Sequence, residues 1–259
     1  MLGSDSHCAQ ILLLAAHWPS ICGKFSGTTV EFGYTRTDSG SIQGTTMWIP
    51  RPQKHWTLSY MRDRFRQIMW QRAHPRDPWL TRDAVEFLRQ WLRPGDLAVE
   101  FGSGRSTIWF ARCIQPNGHI ISVEDHEGWH RDVSERLKAL GLANYTYRLS
   151  IEEPGPYVGA AQEELAKRGG LADFILVDGS ARDLCAVWGL EHIKPGGVIA
   201  VDNVQRYLPH KSNAPTAIPA DGKPASEVWG QFFAAVSGWR QYWTSDGVED
   251  TAFFFAPQR

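Results

Sequence analysis

Four acids close apolar runs in this chain, and their placement decides what chemistry it can host. Glu100 ends Leu97-Ala98-Val99, Glu124 ends His119-Ile120-Ile121-Ser122-Val123, Asp178 ends Asp173-Phe174-Ile175-Leu176-Val177, and Asp202-Asn203 ends Val198-Ile199-Ala200-Val201. Glu100 runs straight into Phe101-Gly102-Ser103-Gly104-Arg105-Ser106-Thr107, after which Ile108-Trp109-Phe110-Ala111-Arg112 reads as a helix. Glycine there lets the backbone turn sharply and lets a ligand approach with no Cβ in the way. The helix start behind it offers unpaired N–H groups. A carboxylate at the tip of the next strand, here Glu124, can accept hydrogen bonds from a ribose diol. Two strand-tip acids bracketing a Gly-rich turn describe a nucleoside-binding α/β domain.

The elements that must hold these acids alternate along the chain. A strand at 97–100 leads to a helix at 106–113, and Pro116-Asn117-Gly118 turns into the strand ending at Glu124. The next helix carries Trp129, Val133, Leu137 and Leu140 on one stripe and stops at Gly141. Residues 145–149 read as a third strand, 161–167 as helix, 173–178 as a fourth strand and 181–192 as helix. Pro195-Gly196-Gly197 then turns into a fifth strand. Apolar strands alternating with helices imply a parallel sheet covered on both faces. Residues 207–223, with Pro209, Pro215, Pro219 and Gly222, leave the tip of the fifth strand as a long loop, expected to be a functional flap or disordered. Ser226 caps a further helix, and Gln241-Tyr242-Trp243-Thr244, Asp246-Gly247 and residues 251–255 read as a hairpin. The expected fold is α/β: a Rossmann-like, doubly wound, mostly parallel seven-stranded sheet with a C-terminal antiparallel hairpin and an N-terminal helical extension.

Upstream of this domain the pattern changes. Residues 1–50 form an extension of uncertain structure, rich in Ser, Thr and Gly, with a strand expected at 28–34. Met47 offers a second start point, so residues 1–46 need not belong to the native product. Residues 51–95 are expected to form a helical cap or lid, and 96–259 the nucleoside-binding domain. In the cap, Leu58, Met61, Phe65, Ile68 and Met69 follow helical spacing, while Arg62, Arg64, Arg66 and Arg72 form the other face. That basic face is either solvated or placed to touch an anionic substrate. Thr81 caps a second helix with Ala84, Val85, Leu88 and Leu92 inward.

Composition narrows the function classes. The chain has 259 residues, is 42% hydrophobic and carries a net charge of −1, so it has no global attraction for nucleic acid or an anionic membrane. Its four cysteines (Cys8, Cys22, Cys113, Cys185) form no C-x-x-C pair, which argues against structural zinc and against a disulfide framework. The run Ile11-Leu12-Leu13-Leu14-Ala15-Ala16 is too short to span a bilayer and lacks the basic flank of a secretory signal. A cytoplasmic location is expected.

The motif set resembles the class I S-adenosylmethionine-dependent methyltransferases, over about residues 80–257. Glu100-Phe101-Gly102-Ser103-Gly104 matches their first motif, with Ser106 where a third glycine often stands. Glu124 matches the acid after the second strand, Asp178 the acid closing the fourth, and Lys194-Pro195-Gly196-Gly197 the fifth-strand signature. The resemblance implies that S-adenosylmethionine is the cofactor. Its expected contacts are Glu100, Gly102, Ser103, Gly104, Ser106, Thr107, Glu124, Asp125, Ser150, Ile151 and Asp178. Glu124 takes the ribose, and the loop near Ser150-Ile151 takes adenine. Asp178, Asp202, Arg182, Tyr207 and His210 are the expected catalytic or acceptor contacts. The segments 177–183, 202–209 and 244–248 also look like a poorly characterised bacterial group of small-molecule methyltransferases.

Asp178, Asp202 and Asn203 further resemble the divalent-metal triad of catechol and caffeoyl-coenzyme A O-methyltransferases, which implies Mg2+. Those enzymes carry a lysine three residues after the first acid, where this chain has Ala181. The implied acceptor is a small molecule or a peptide, methylated on oxygen, with no nucleic acid or membrane partner and with a homodimer allowed. Two other readings stand beside it: a non-catalytic domain that binds S-adenosylmethionine and acts with a partner, and an NAD-dependent oxidoreductase. The nicotinamide fingerprint wants a glycine where this chain has Thr107.

Overall fold

The structure is a computed structural model that describes residues 27–36, 42–50, 57–151 and 154–258. The chain divides into two units, residues 1–56 and 57–259. In the first, β1 (Gly27–Arg36) pairs antiparallel with β2 (Ile42–Pro50), with a register shift between Phe32 and Tyr34. The strand expected at 28–34 lies within β1. The run at 11–16, together with Cys8 and Cys22, lies outside the described residues.

The second unit is a seven-stranded sheet between two helical layers. Its strands are β3 (Leu97–Phe101), β4 (His119–Glu124), β5 (Tyr145–Leu149), β6 (Ala172–Val177), β7 (Ile193–Asp202), β8 (Arg240–Ser245) and β9 (Asp250–Phe255). They lie in the order β5-β4-β3-β6-β7-β9-β8. Five strands are parallel, and β9 pairs antiparallel with both β7 and β8. The mostly parallel, doubly wound sheet and its antiparallel end are as the sequence implies.

Alternation along each strand builds the two cores. Val99, Phe101, Ile175, Val177, Ile199 and Val201 face α5 (Pro154–Ala166), α6 (Arg182–His192) and α7 (Glu227–Ala235). Ala98, Phe174, Leu176, Val198 and Ala200 face α2 (Arg82–Trp91) and α3 (Arg105–Cys113). A buried Phe or Leu contributes roughly 1.5–3 kcal/mol relative to its exposed state, so both layers stabilise the sheet. Because α2 supplies Ala84, Val85 and Leu88 to this core, it is an integral layer, and the break between units falls at Trp56/Thr57 rather than at residue 50.

The spacing of α1 (Leu58–Ala73) finds the helix but not its orientation. Leu58 is 88% exposed and Phe65 64%, with Met61 and Met69 also outward, whereas Gln67 is buried. The helix is held by polar contacts instead: Gln67 Nε2 donates to Asp246 at 3.0 Å and to Glu249 at 3.3 Å in the β8–β9 turn. Leu140 likewise stays outside the core stripe of α4 (Glu127–Ala139). The loop after β7 is packed rather than loose. Ile218 N donates to Gln205 O at 2.9 Å, Ala225 N to Tyr207 O at 2.9 Å, and Leu208 is fully buried.

The strand order reverses at β3, with β4 on one side and β6 on the other. In open α/β sheets ligands sit outside the carboxyl ends at such a switch point. Here Gly102 and Gly179 cross. A Cβ on Gly102 would lie 2.8 Å from Gly179 N, and one on Gly179 would lie 2.2 Å from the Tyr157 hydroxyl and 2.5 Å from Gly102 N. Gly102 also has a φ of +92°. Overpacking of this kind costs roughly 1–3 kcal/mol. Gly179→Ala is therefore expected to lower denaturant stability by at least that amount; unchanged stability in urea unfolding would contradict the close crossing.

Candidate functional site

Parallel strands deliver their terminal acids to one sheet edge, and each acid finds a different environment there. Glu100 is fully enclosed: its Oε2 accepts from the Thr107 hydroxyl at 2.6 Å and from the Ser122 hydroxyl at 2.8 Å. Thr107 also accepts from Gly104 N at 3.0 Å, which ties the glycine turn to the first turn of α3. Glu100 Oε1 is buried with no hydrogen-bond partner. Burial pushes the Glu100 carboxyl up to about 7, although the hydroxyls of Ser106, Thr107 and Ser122 pull it down.

Glu124 receives backbone N–H donors from Asp125 at 3.1 Å and His126 at 3.0 Å, and its other oxygen accepts from the Ser103 hydroxyl. Burial still raises its pKa. The Tyr147 hydroxyl stands 2.6 Å from Ser103, and Trp129 Nε1 donates to Ser103 O at 2.7 Å. Trp129 therefore roofs the glycine turn, 3.5 Å from where a Gly104 Cβ would be. Ser150 N donates to Glu124 O at 2.8 Å. Ser150 and Ile151 border a cavity of about 450 Å3 with Pro156, Gly159 and Ala160 beyond the β5 tip.

At the tips of β6 and β7 the Asp178 and Asp202 carboxyls stand near enough for each to affect the other's ionisation. Burial raises both, and for Asp202 the neighbouring Asp178 charge adds to it. Asp202 Oδ1 accepts from Thr251 Oγ1 at 2.7 Å and Oδ2 from Asn203 Nδ2 at 3.0 Å. Arg182 donates to Asp178 Oδ1 at 2.9 Å and lies 5.8 Å from the Tyr207 ring centre. Tyr207 stacks on Trp229, and His210 stacks on Trp243 at 3.9 Å with its Nδ1 buried and unpartnered.

The sequence-derived residues thus fall into two groups along one edge: Glu100 through Thr107 with Glu124, Asp125, Ser150 and Ile151, and Asp178, Arg182, Asp202, Asn203, Tyr207 and His210. Trp129, Tyr147, Tyr157, Gly179 and Thr251 complete them and were not singled out by motif. Only Gly179, directly after a strand-tip acid, carried a local signal.

Comparison with known proteins identifies the unit. Residues 99–204 match a family described as a methyltransferase domain. The chain is 32% identical over 114 residues to the catechol O-methyltransferase of Mycobacterium tuberculosis, a match covering 42% of this chain and 48% of that protein. The chain therefore spans about half the length of this curated relative. Its fold is that of an O-methyltransferase from Bacillus cereus solved in complex with SAH, with a TM-score of 0.50 and 17% identity over 79% of this chain and 92% of that one. No helix among the described residues is long and apolar enough to cross a membrane.

Two groups can be tested against this edge. An S-adenosyl cofactor fits: an unpartnered buried carboxylate oxygen, a turn with no Cβ at Gly102 or Gly104 and a cavity beyond β5 lie in sequence along the edge. A divalent ion fits the Asp178, Asp202 and Asn203 set poorly: Arg182 donates to Asp178 Oδ1, and Thr251 Oγ1 and Asn203 Nδ2 donate to the two oxygens of Asp202.

The enclosure of Glu100 has a pH signature. Its folded pKa of about 7 lies above the ordinary 4.5, so its contribution to stability is complete below pH 4.5 and is lost as the pH rises through 7. Relative to Glu100→Gln, the wild type is expected to lose on the order of 3 kcal/mol between those limits. Urea unfolding of both proteins at pH 5 and pH 8 checks this; parallel changes in the two would contradict it.

Proposed function

We propose that the chain is an S-adenosylmethionine-dependent O-methyltransferase acting on a small hydroxylated molecule. The observation that carries this reading is Glu100 Oε1, a buried carboxylate oxygen that has no partner beside the glycine turn. A cationic amine with a closely apposed chain is what such a position suits. In this reading Glu100, with Ser106 and Thr107 around it, receives the aminium of the methionyl group. Gly102, Ser103 and Gly104 let that group lie against the backbone. Glu124 and Asp125 take the ribose hydroxyls once the Ser103 hydroxyl rotates off Glu124. Ser150 and Ile151 border the adenine, and Asp178 stands at the methyl end.

The bound cofactor supplies a methyl group on a positively charged sulfur. The protein's task is to align an acceptor oxygen in line with it and to accept the acceptor's proton. In this reading Asp178, held above the usual carboxylate range by burial, takes that proton, with Asp202 behind it. Arg182 orients Asp178, while Tyr207 and His210, held by Trp229 and Trp243, border the acceptor. Helix α1, which bonds to the β8–β9 turn beside this edge, serves as the lid. Oxygen as the methylated atom is supported by the relative named as a catechol O-methyltransferase.

Transfer of a labelled methyl group to a panel of phenols, hydroxy acids and short hydroxylated peptides tests the reading. Product is expected with small phenolic or hydroxylated compounds and not with the peptides. Glu124→Ala is expected to raise the KM for S-adenosylmethionine roughly fivefold to 150-fold, equivalent to about 1–3 kcal/mol of lost binding. No transfer to any acceptor, or an unaltered KM in that variant, would count against it.

A further inference from the structure

Asp178, Asp202 and Asn203 offer three oxygen donors by residue type, yet each is already engaged. Arg182 reaches across both strand tips, donating to the backbone oxygens of Asp178 at 2.6 Å, Asp202 at 2.6 Å and Gly179 at 2.9 Å, besides the Asp178 carboxylate at 2.9 Å. Its side chain is only 17% exposed. Asp202 uses one oxygen for Thr251 and the other for Asn203, and Asn203 turns its amide nitrogen, not its carbonyl oxygen, toward the acid. Mg2+ demands near-octahedral oxygen ligands at about 2.0–2.1 Å. An ion on Asp178 would have to share that carboxylate with a guanidinium that cannot lose its charge.

The geometry points to Arg182 as the resident cation of this edge, standing where a divalent ion would otherwise bridge the two acids. The strand tips accordingly hold no divalent metal, and Arg182 acts as a positioning residue that fixes Asp178 and clamps β6 to β7. One consequence rests on the methyl-transfer reading above: two adjacent hydroxyls on an acceptor meet no ion to chelate them. The site therefore takes single-hydroxyl acceptors as readily as vicinal diols.

The test is titration of the full chain with Mn2+, following the free-ion electron paramagnetic resonance signal. Wild type is expected to leave the signal undiminished through the millimolar range. Arg182→Ser is expected to create one Mn2+ site that a second change, Asp202→Asn, removes; Arg182→Gln serves if the serine variant does not fold. A wild-type site lost in Asp202→Asn overturns the inference whatever the variants do. Silence in wild type and in both folded Arg182 variants also overturns it, because something other than Arg182 then excludes the metal. Binding of S-adenosylhomocysteine to wild type in the presence of a chelator is read separately. Its absence strikes the methyl-transfer reading and leaves the metal result standing.

Discussion

Everything at the functional edge depends on how closely β3 and β6 approach where the strand order reverses. Gly102 and Gly179 meet backbone to backbone, with the Tyr157 hydroxyl against the second of them. That contact brings Phe101 O within 2.9 Å of Asp178 N, and so fixes the fourth-strand acid beside the glycine turn. It also sets Glu100, one residue before Phe101, under the turn. A side chain at either glycine would push the two halves of the edge apart.

From that constraint the division of charge follows. On the β3–β4 side, acids are satisfied by hydroxyls and backbone N–H groups, with one oxygen of Glu100 left over. On the β6–β7 side, Asp178 is paired with the Arg182 guanidinium and Asp202 is held by Thr251 and Asn203. The first arrangement leaves Glu100 Oε1 without a hydrogen-bond partner, while in the second Asp178 Oδ1 and both oxygens of Asp202 accept hydrogen bonds. The buried chain Thr81, Thr244 and Thr251 extends this second half outward: Thr244 Oγ1 donates to Thr251 O at 2.8 Å, and Thr251 Oγ1 to Asp202 at 2.7 Å. Helix α2, which Thr81 caps, is thereby tied to the acid pair.

The sheet was legible because five apolar runs of strand length alternate with helical stripes, and because the Gly-x-Gly turn follows one of them. Boundaries moved by a residue or two at most strands, while α5 begins at Pro154, well before the expected residue 161, since its first turn is made of Pro and Gly and shows no period. The orientation of α1 was not legible. Its apolar spacing is genuine, but the partner that fixes it is a polar turn 179 positions away in sequence. Tyr147 and Ser103, 44 positions apart, and Trp129 over Gly104 are likewise pairings that only the sheet register creates. The acid pair was visible as residue types, but the direction in which Asn203 and Arg182 point was not.

The most direct measurement is calorimetric titration of the purified chain with S-adenosylhomocysteine, set against NAD under the same conditions. Saturable binding of the sulfur nucleoside at micromolar concentration, with no heat from NAD, is expected from an edge whose glycine turn, Glu100 and Glu124 act together. Binding of NAD in place of S-adenosylhomocysteine would contradict that assignment.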